Sequence, residues 1–199
     1  MDQQAIKFSE QDLEKVRHNT LYATGCIFEL TKWIIVVTIL LMLCHFFIAT
    51  ISIVDGVSME PNFKNGEYLI INRYQYNFGK PERGDAVVLK FPGDPEHKKY
   101  IKRVVGLPGE RVQLQAGKIL INGSILNESY IPVTIQTFAE KPIDQVLPPN
   151  EYFIVGDNRM NSNDSRIWGT AGREFLIGKA WFQFFPKIRI ISSPNYTSS

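Results

Sequence analysis

Trp33-Ile-Ile-Val-Val-Thr-Ile-Leu-Leu-Met-Leu-Cys-His-Phe-Phe-Ile-Ala-Thr-Ile-Ser-Ile-Val54 divides the chain into two kinds of sequence. The run holds no Asp, Glu, Lys or Arg across 22 positions. At about 1.5 Å per residue, a helix of that length crosses a hydrocarbon core of about 30 Å. Buried helices of soluble proteins rarely reach this length without a charge. Residues 33–54 are therefore expected to form a transmembrane helix, with Lys32 and Trp33 as an interfacial anchor. The run is too long for a signal-peptide core. His45 interrupts it; a neutral imidazole facing a partner helix, or merely tolerated, explains it more simply than a proton relay.

Working outward, residues 1–32 form a mixed polar segment with Lys7, Lys15, Arg17 and Lys32 among several acids. The basic bias predicts a cytoplasmic N-terminus and a single pass of the cell membrane. The remaining chain then lies on the outer (trans) face, although Lys64 and Arg73 make the bias modest. Beyond Pro61 the texture is short β-type runs separated by Gly and Pro: Tyr68–Ile71, Ala86–Leu89, Tyr100–Val105, Val112–Gln115, Lys118–Ile121, Tyr152–Val155 and Ala180–Phe185. Ala116-Gly117 between two alternating runs predicts a tight hairpin. The fold class expected is mainly β: one N-terminal transmembrane helix, then an antiparallel β-rich domain, barrel-like or two-sheeted, over residues 55–191. Residues 122–150 are expected to be a surface excursion and 192–199 a disordered tail.

Composition sets the outer limits. The 199 residues suit one membrane segment and one domain of ordinary size, and a net charge of +2 gives no field for nucleic acid. Both cysteines, Cys26 and Cys44, precede residue 55, so the domain beyond has neither a disulfide framework nor a thiolate metal site.

Candidate chemistry narrows by elimination. Histidine is confined to His18, His45 and His97, with only His97 beyond the apolar run, so a Ser-His-Asp arrangement has little support. No HExxH, paired-His spacing or Gly-rich phosphate loop occurs, and neither a metal nor a cofactor is expected. Serine with lysine remains. Ser58, in Asp55-Gly-Val-Ser-Met-Glu-Pro61, sits just past the apolar run and is the candidate nucleophile. A lysine becomes a base only when burial disfavours its ammonium form. Lys102 has that setting in Tyr100-Ile-Lys-Arg-Val-Val-Gly-Leu-Pro-Gly-Glu110. Period two places Tyr100, Lys102 and Val104 on one strand face and Ile101, Arg103 and Val105 on the other. Either Lys102 points into a site while Arg103 pairs with an acid, or both decorate an edge strand. Gly156-Asp-Asn-Arg-Met-Asn-Ser-Asn-Asp-Ser-Arg-Ile-Trp-Gly169 reads equally as a solvated loop or as a brace, with Asp164 and Arg166 spaced for bidentate pairing and Ser162 able to bond a neutral lysine.

Ser58-Met59-Glu60-Pro61, Arg83-Gly84-Asp85-Ala86-Val87-Val88, Tyr100 through Glu110, and Gly156 through Gly169 together resemble the ordered motifs of type I signal peptidases. The likeness spans roughly residues 53–182 and follows one membrane anchor. It implies a β-rich Ser-Lys endopeptidase that removes signal peptides from exported preproteins, with Ser58 as nucleophile and Lys102 as general base. By the same resemblance Ser162 orients the lysine, Asp164 and Arg166 form a structural ion pair, Arg103 is a strand partner, and Met59 and Tyr100 contact substrate. Where the family often carries a serine two residues before the nucleophile, this chain has Gly56. Oxyanion support would then rest on backbone N–H, notably that of Ser58. Asn62 stands where Thr is usual.

The resemblance further implies preproteins with small residues at the first and third positions before the cut, contact with membrane lipid, a monomer and no cofactor. Phe63, Trp181 and Phe182 read first as core, with seating the domain on lipid as the alternative. Two other readings share the same features: a membrane-tethered β-domain that binds a protein partner without catalysis, and a self-cleaving repressor. The repressor needs a DNA-binding helix pair for which residues 1–32 are too short.

Overall fold

The computed structural model describes residues 10–47, 49–91, 98–194 and 196. His97, the side chain of His45, and the expectations for residues 1–9, 195 and 197–199 lie outside them. The chain divides into two units, Met1–Phe46 and Phe47–Ser199.

The first unit is helical. Helix α1 runs Glu10–Phe47, 38 residues, which is about 57 Å at 1.5 Å per residue. Its stretch Leu13–Leu43 is long and apolar enough to cross a membrane, and its described side chains are exposed. Thr31 and Thr38 each donate a hydroxyl proton to the carbonyl four residues back, 2.8 Å, so these polar groups need no external partner. The helix thus starts much earlier than residue 33 and stops before residue 54. Residues Ala49–Ile53 form strand β1 instead. The reason is local: Thr50 and Ser52 alternate with Ile51 and Ile53, a period-two pattern of mostly β-branched residues that hydropathy alone cannot separate from a helix.

The second unit is antiparallel β. Its strands after β1 are β2 Tyr68–Asn72, β3 Ala86–Lys90, β4 Lys99–Gly106, β5 Arg111–Gln115, β6 Lys118–Ile121, β7 Ser124–Ile125, β8 Asp144–Val146, β9 Glu151–Val155, β10 Ala171–Gly172, β11 Leu176–Phe185 and β12 Arg189–Ile190. Two short helices, α2 (Tyr74–Phe78) and α3 (Ser165–Trp168), lie between them. The larger sheet has the order β1-β2-β11-β3-β4-β9-β10, with β12 on β11; the smaller has the order β7-β6-β5-β8. Both positions of the Ala116-Gly117 turn have positive φ, 47° and 75°, which is what a two-residue hairpin needs. All seven β runs read from the sequence fall within strands.

Three buried clusters hold the unit together. One gathers Val54, Met59, Phe63, Leu69, Ile71, Ala86, Val88, Ile101 and Ala180. The second includes Val87, Leu89, Val104, Tyr152 and Ile154, and the third Val105, Val112, Ile119, Phe153 and Val155. Strand β4 contributes Val104 to one cluster, Ile101 to another and Val105 to the third, so its side chains alternate as period two requires.

Two expectations about the periphery change. Residues 122–150 are more than an excursion, because β8 completes the smaller sheet and Leu147 and Thr137 are buried. The described tail residues are also engaged. Ser193 Oγ donates to Asp85 Oδ1, 2.7 Å, and Tyr196 packs edge-on to Tyr130 and over Gly84, where a Cβ would stand only 2.6 Å from its ring. Gly84 (φ +90°) therefore makes room for the tail as well as for the turn before β3.

Candidate active site

Ser58 is set by a short turn built on buried anchors. Glu60 N–H donates to Val57 O, 3.1 Å, and Phe63 N–H to Met59 O, 3.0 Å. Met59 and Phe63 beneath them belong to the first core cluster. Phe63 is therefore core and not a lipid contact. Met59 is likewise no surface contact for a substrate: its side chain is fully buried, and it holds the turn from below. Gly56 adopts φ +95°, which an L side chain rarely takes, and its N–H donates to Asn65 Oδ1, 2.9 Å. A serine there would be strained. From the far side Asn158 clamps the turn, its N–H donating to Ser58 O at 3.0 Å and its Nδ2 to Val57 O at 3.1 Å. Among the described residues the N–H of Ser58 donates to no acceptor.

Lys102 comes from the interior of the larger sheet, opposite Val87 of β3. Strand β4 is paired on both sides, so Lys102 and Arg103 do not decorate an edge. Lys102 is 2% exposed, and its Nζ lies 2.7 Å from Ser58 Oγ. Burial brings its ammonium down from 10.5 to about 8. Asp164 and Asp157 act weakly the other way, while Arg166 adds to the lowering. Tyr100 is half-buried beside it, with Nζ 5.8 Å from the ring centroid. Leu89, Phe91, Tyr100, Lys102, Asn163 and Trp168 enclose a cavity of about 10 Å³, room for about one water.

Arg103 points to the opposite face, as the alternation requires, and makes a bidentate pair with an acid. Its Nε and Nη2 donate to Asp157 at 2.7 and 2.6 Å, and Nη1 donates to Gly84 O at 2.8 Å. Burial opposes its charge, but the bonds to Asp157 outweigh it, and the guanidinium pKa is raised. Asp157 is wholly buried and also accepts from Asn62 Nδ2, 2.9 Å. Asn62 bonds Tyr130 O as well, 2.8 Å, which gives this residue a structural reason of its own.

The Gly156–Gly169 stretch is a brace and not a solvated loop. Asp164 caps α3, pairs with Arg166 through two 2.8 Å contacts, and accepts from Gly156 N at 2.8 Å. Burial alone would raise its carboxyl; the Arg166 guanidinium and the Gly156 N–H hold it below the usual range. Arg166 also donates to Arg159 O at 2.8 Å, locking the loop on itself. Ser162 is in place but, among the described residues, its buried Oγ makes no hydrogen bond of good geometry to Lys102; it faces the Asp164 carboxylate, whose charged form it favours. It stands against Gly156, where a built Cβ would meet Ser162 Oγ at 2.2 Å and Ser58 O at 2.5 Å.

Several contributors carry no local signal in sequence. Arg159 pairs with Glu128, bonds Thr137, and meets Tyr130 OH at 3.2 Å. Glu128, Tyr130 and Thr137 come from the weakly patterned stretch 122–150, and only the fold brings them to the loop. Among the described residues no group of three His, Cys, Asp or Glu side chains gathers as a metal site would.

With this geometry in view, the chain belongs to the signal peptidase family, peptidase S26, whose family model matches residues 27–185. A probable signal peptidase I-2 of Synechocystis sp. is 36% identical over 167 residues, covering 81% of this chain and 75% of that protein. Signal peptidase I S of Bacillus subtilis is 35% identical over 169 residues, 80% and 90% of the two chains. Signal peptidase IB of Staphylococcus aureus is 32% identical over 176 residues, 79% and 91%. Among solved structures, a signal peptidase I from Enterococcus faecalis aligns at TM-score 0.44 and 30% identity, over 50% of this chain and 96% of that one.

Proposed function

We propose that this chain is a membrane-anchored serine endopeptidase that cleaves signal peptides from exported preproteins, with Ser58 as nucleophile and Lys102 as general base. Family membership supports the peptidase class. The observation that carries the residue assignment is the 2.7 Å separation of Lys102 Nζ and Ser58 Oγ in a setting dry enough to lower the lysine to about 8. In the reaction, neutral Lys102 takes the Oγ proton as Ser58 attacks the scissile carbonyl, and the Ser58 N–H faces the developing oxyanion. The ammonium then protonates the leaving amine, and the acyl-enzyme forms. Lys102 next deprotonates a water that attacks the ester and frees Ser58. Arg103–Asp157 and Asp164–Arg166 fix the strand and loop without entering the reaction, and Asn158 holds the turn that carries the nucleophile.

Small side chains at the first and third positions before the cut fit the confined space beside Lys102 and Tyr100. Helix α1 serves as the single membrane anchor, with the N-terminus cytoplasmic and the β-domain on the trans face. On that domain Trp181 (55% exposed), Ile51 (58%) and Ile53 (54%) offer apolar contact to lipid, as do exposed Phe185, Ile188 and Ile190; Phe182 is half-buried. The test is a cleavage assay with the purified full chain and a preprotein substrate. The intact enzyme should release a fragment cut after the small-x-small site, and Ser58→Ala should release none. Equal cleavage by the Ser58→Ala protein would overturn the assignment.

A further inference from the structure

A large concavity of the β-rich unit lies away from the Ser58–Lys102 pair. It is an open basin of about 920 Å³ whose wall carries Arg73, Lys90, Lys99 and Arg173 against one carboxylate, Glu174, with Thr50 at its rim. Lys90 and Lys99 are direct partners across the β3–β4 ladder, an arrangement of like charges that destabilises a sheet. Among the described residues no acid forms an ion pair with either. Arg73 adds an independent sign: among the described residues its buried Nε has no hydrogen-bond partner. A buried cationic N–H left without an acceptor is costly. Arg173 is held in place by the carbonyls of Tyr76 and Leu176 and by the Tyr76 ring, 5.0 Å from its Cζ. The basin therefore combines one fixed cation, two mutually repelling ones and one with an open donor. The repulsion and the open donor are both relieved by the same thing, an anion with several acceptor oxygens, which the fixed cation would also attract.

We propose that this basin binds a phosphate group, and that its source is the headgroup of an anionic membrane lipid. The second part rests on the membrane-anchored reading above. Thr50 follows Phe47, the last residue of α1, by three positions, and the same strand presents exposed Ile51 and Ile53 on its other face. A cationic hollow lined by Thr50, three residues along the chain from the end of a helix long and apolar enough to cross a membrane, suits the charged head of a lipid.

The test is native mass spectrometry of the full chain released from neutral detergent, with phosphatidylglycerol, phosphatidylcholine, inorganic phosphate or a Glu-rich peptide added. The wild-type and Ser58→Ala proteins should retain phosphatidylglycerol in clear preference to phosphatidylcholine. Arg73→Gln with Lys90→Gln should weaken that retention about thirtyfold, from roughly fivefold per cation. Should the Arg73 variant fail to fold, Lys90→Glu with Lys99→Glu, both exposed, reads the same effect. Retention unchanged in these variants, or equal for phosphatidylcholine, overturns the site. Binding of inorganic phosphate with the same residue dependence, but not of lipid, removes the lipid source. Binding of the acidic peptide alone makes the basin a protein contact and overturns the phosphate assignment. Preprotein cleavage in the same micelles should be unchanged by Arg73→Gln with Lys90→Gln, so this inference and the peptidase reading fail separately.

Discussion

Lys102→Met offers the sharpest check on the site because it predicts a gain in stability. A lysine lowered from 10.5 to about 8 by burial is a strained cation at neutral pH. Its folded pKa is depressed, so between pH 8 and 10.5 the unfolded chain binds more protons than the folded one. Stability therefore rises with pH through that window and is at its lowest below it. The 2.5-unit gap corresponds to about 3 kcal/mol at pH 7. Methionine fills nearly the same volume without the charge, at the loss of one hydrogen bond to Ser58 worth about 1 kcal/mol. Lys102→Met should then be about 2 kcal/mol more stable than the intact protein at pH 7. The advantage should shrink and vanish as pH approaches 10.5. Urea denaturation of the full chain in detergent, followed by tryptophan fluorescence at pH 7, 9 and 10.5, measures both. A variant less stable than the parent at pH 7, or a difference independent of pH, would refute a buried, desolvated lysine.

The same lowering predicts the rate profile: kcat/KM should climb about tenfold from pH 7 to 9 and level off above 8, whereas a lysine at its ordinary value would give about a hundredfold climb over that range. Asp157→Ala strands the Arg103 guanidinium in the interior and should destabilise the fold by about 3–5 kcal/mol in urea denaturation. Gly156→Ala places a methyl group 2.5 Å from Ser58 O. The displaced turn should lower kcat by about a hundredfold in a peptide-cleavage assay while the protein stays folded.

Much of this architecture is legible from local pattern. Strands such as Ala86–Leu89 and Lys118–Ile121 are marked by short apolar runs between Gly and Pro. The opposed facing of Lys102 and Arg103 follows from the two-residue period. The misread boundary at residue 49 has a physical origin, because Ile51 and Ile53 are as apolar in an exposed strand as in a membrane helix. Only the alternation with Thr50 and Ser52 separates the two. Arg159 shows the other limit: its partners Glu128 and Thr137 lie 31 and 22 residues away, and no spacing rule links them. Met59 misleads in a third way, since a residue beside a nucleophile can be the buried footing of the turn and not part of its surface. The tail was unreadable because Tyr196 finds its place through the missing side chain of Gly84.

The central claim is that Ser58 Oγ becomes covalently acylated with Lys102 as its base. Acid-quenching the full chain during turnover of a preprotein or peptide substrate, then mapping the mass of its peptides, tests this directly. The account predicts an acyl adduct on the peptide containing Ser58, absent from Lys102→Met. An adduct on any other residue, or full turnover by Lys102→Met, would contradict it.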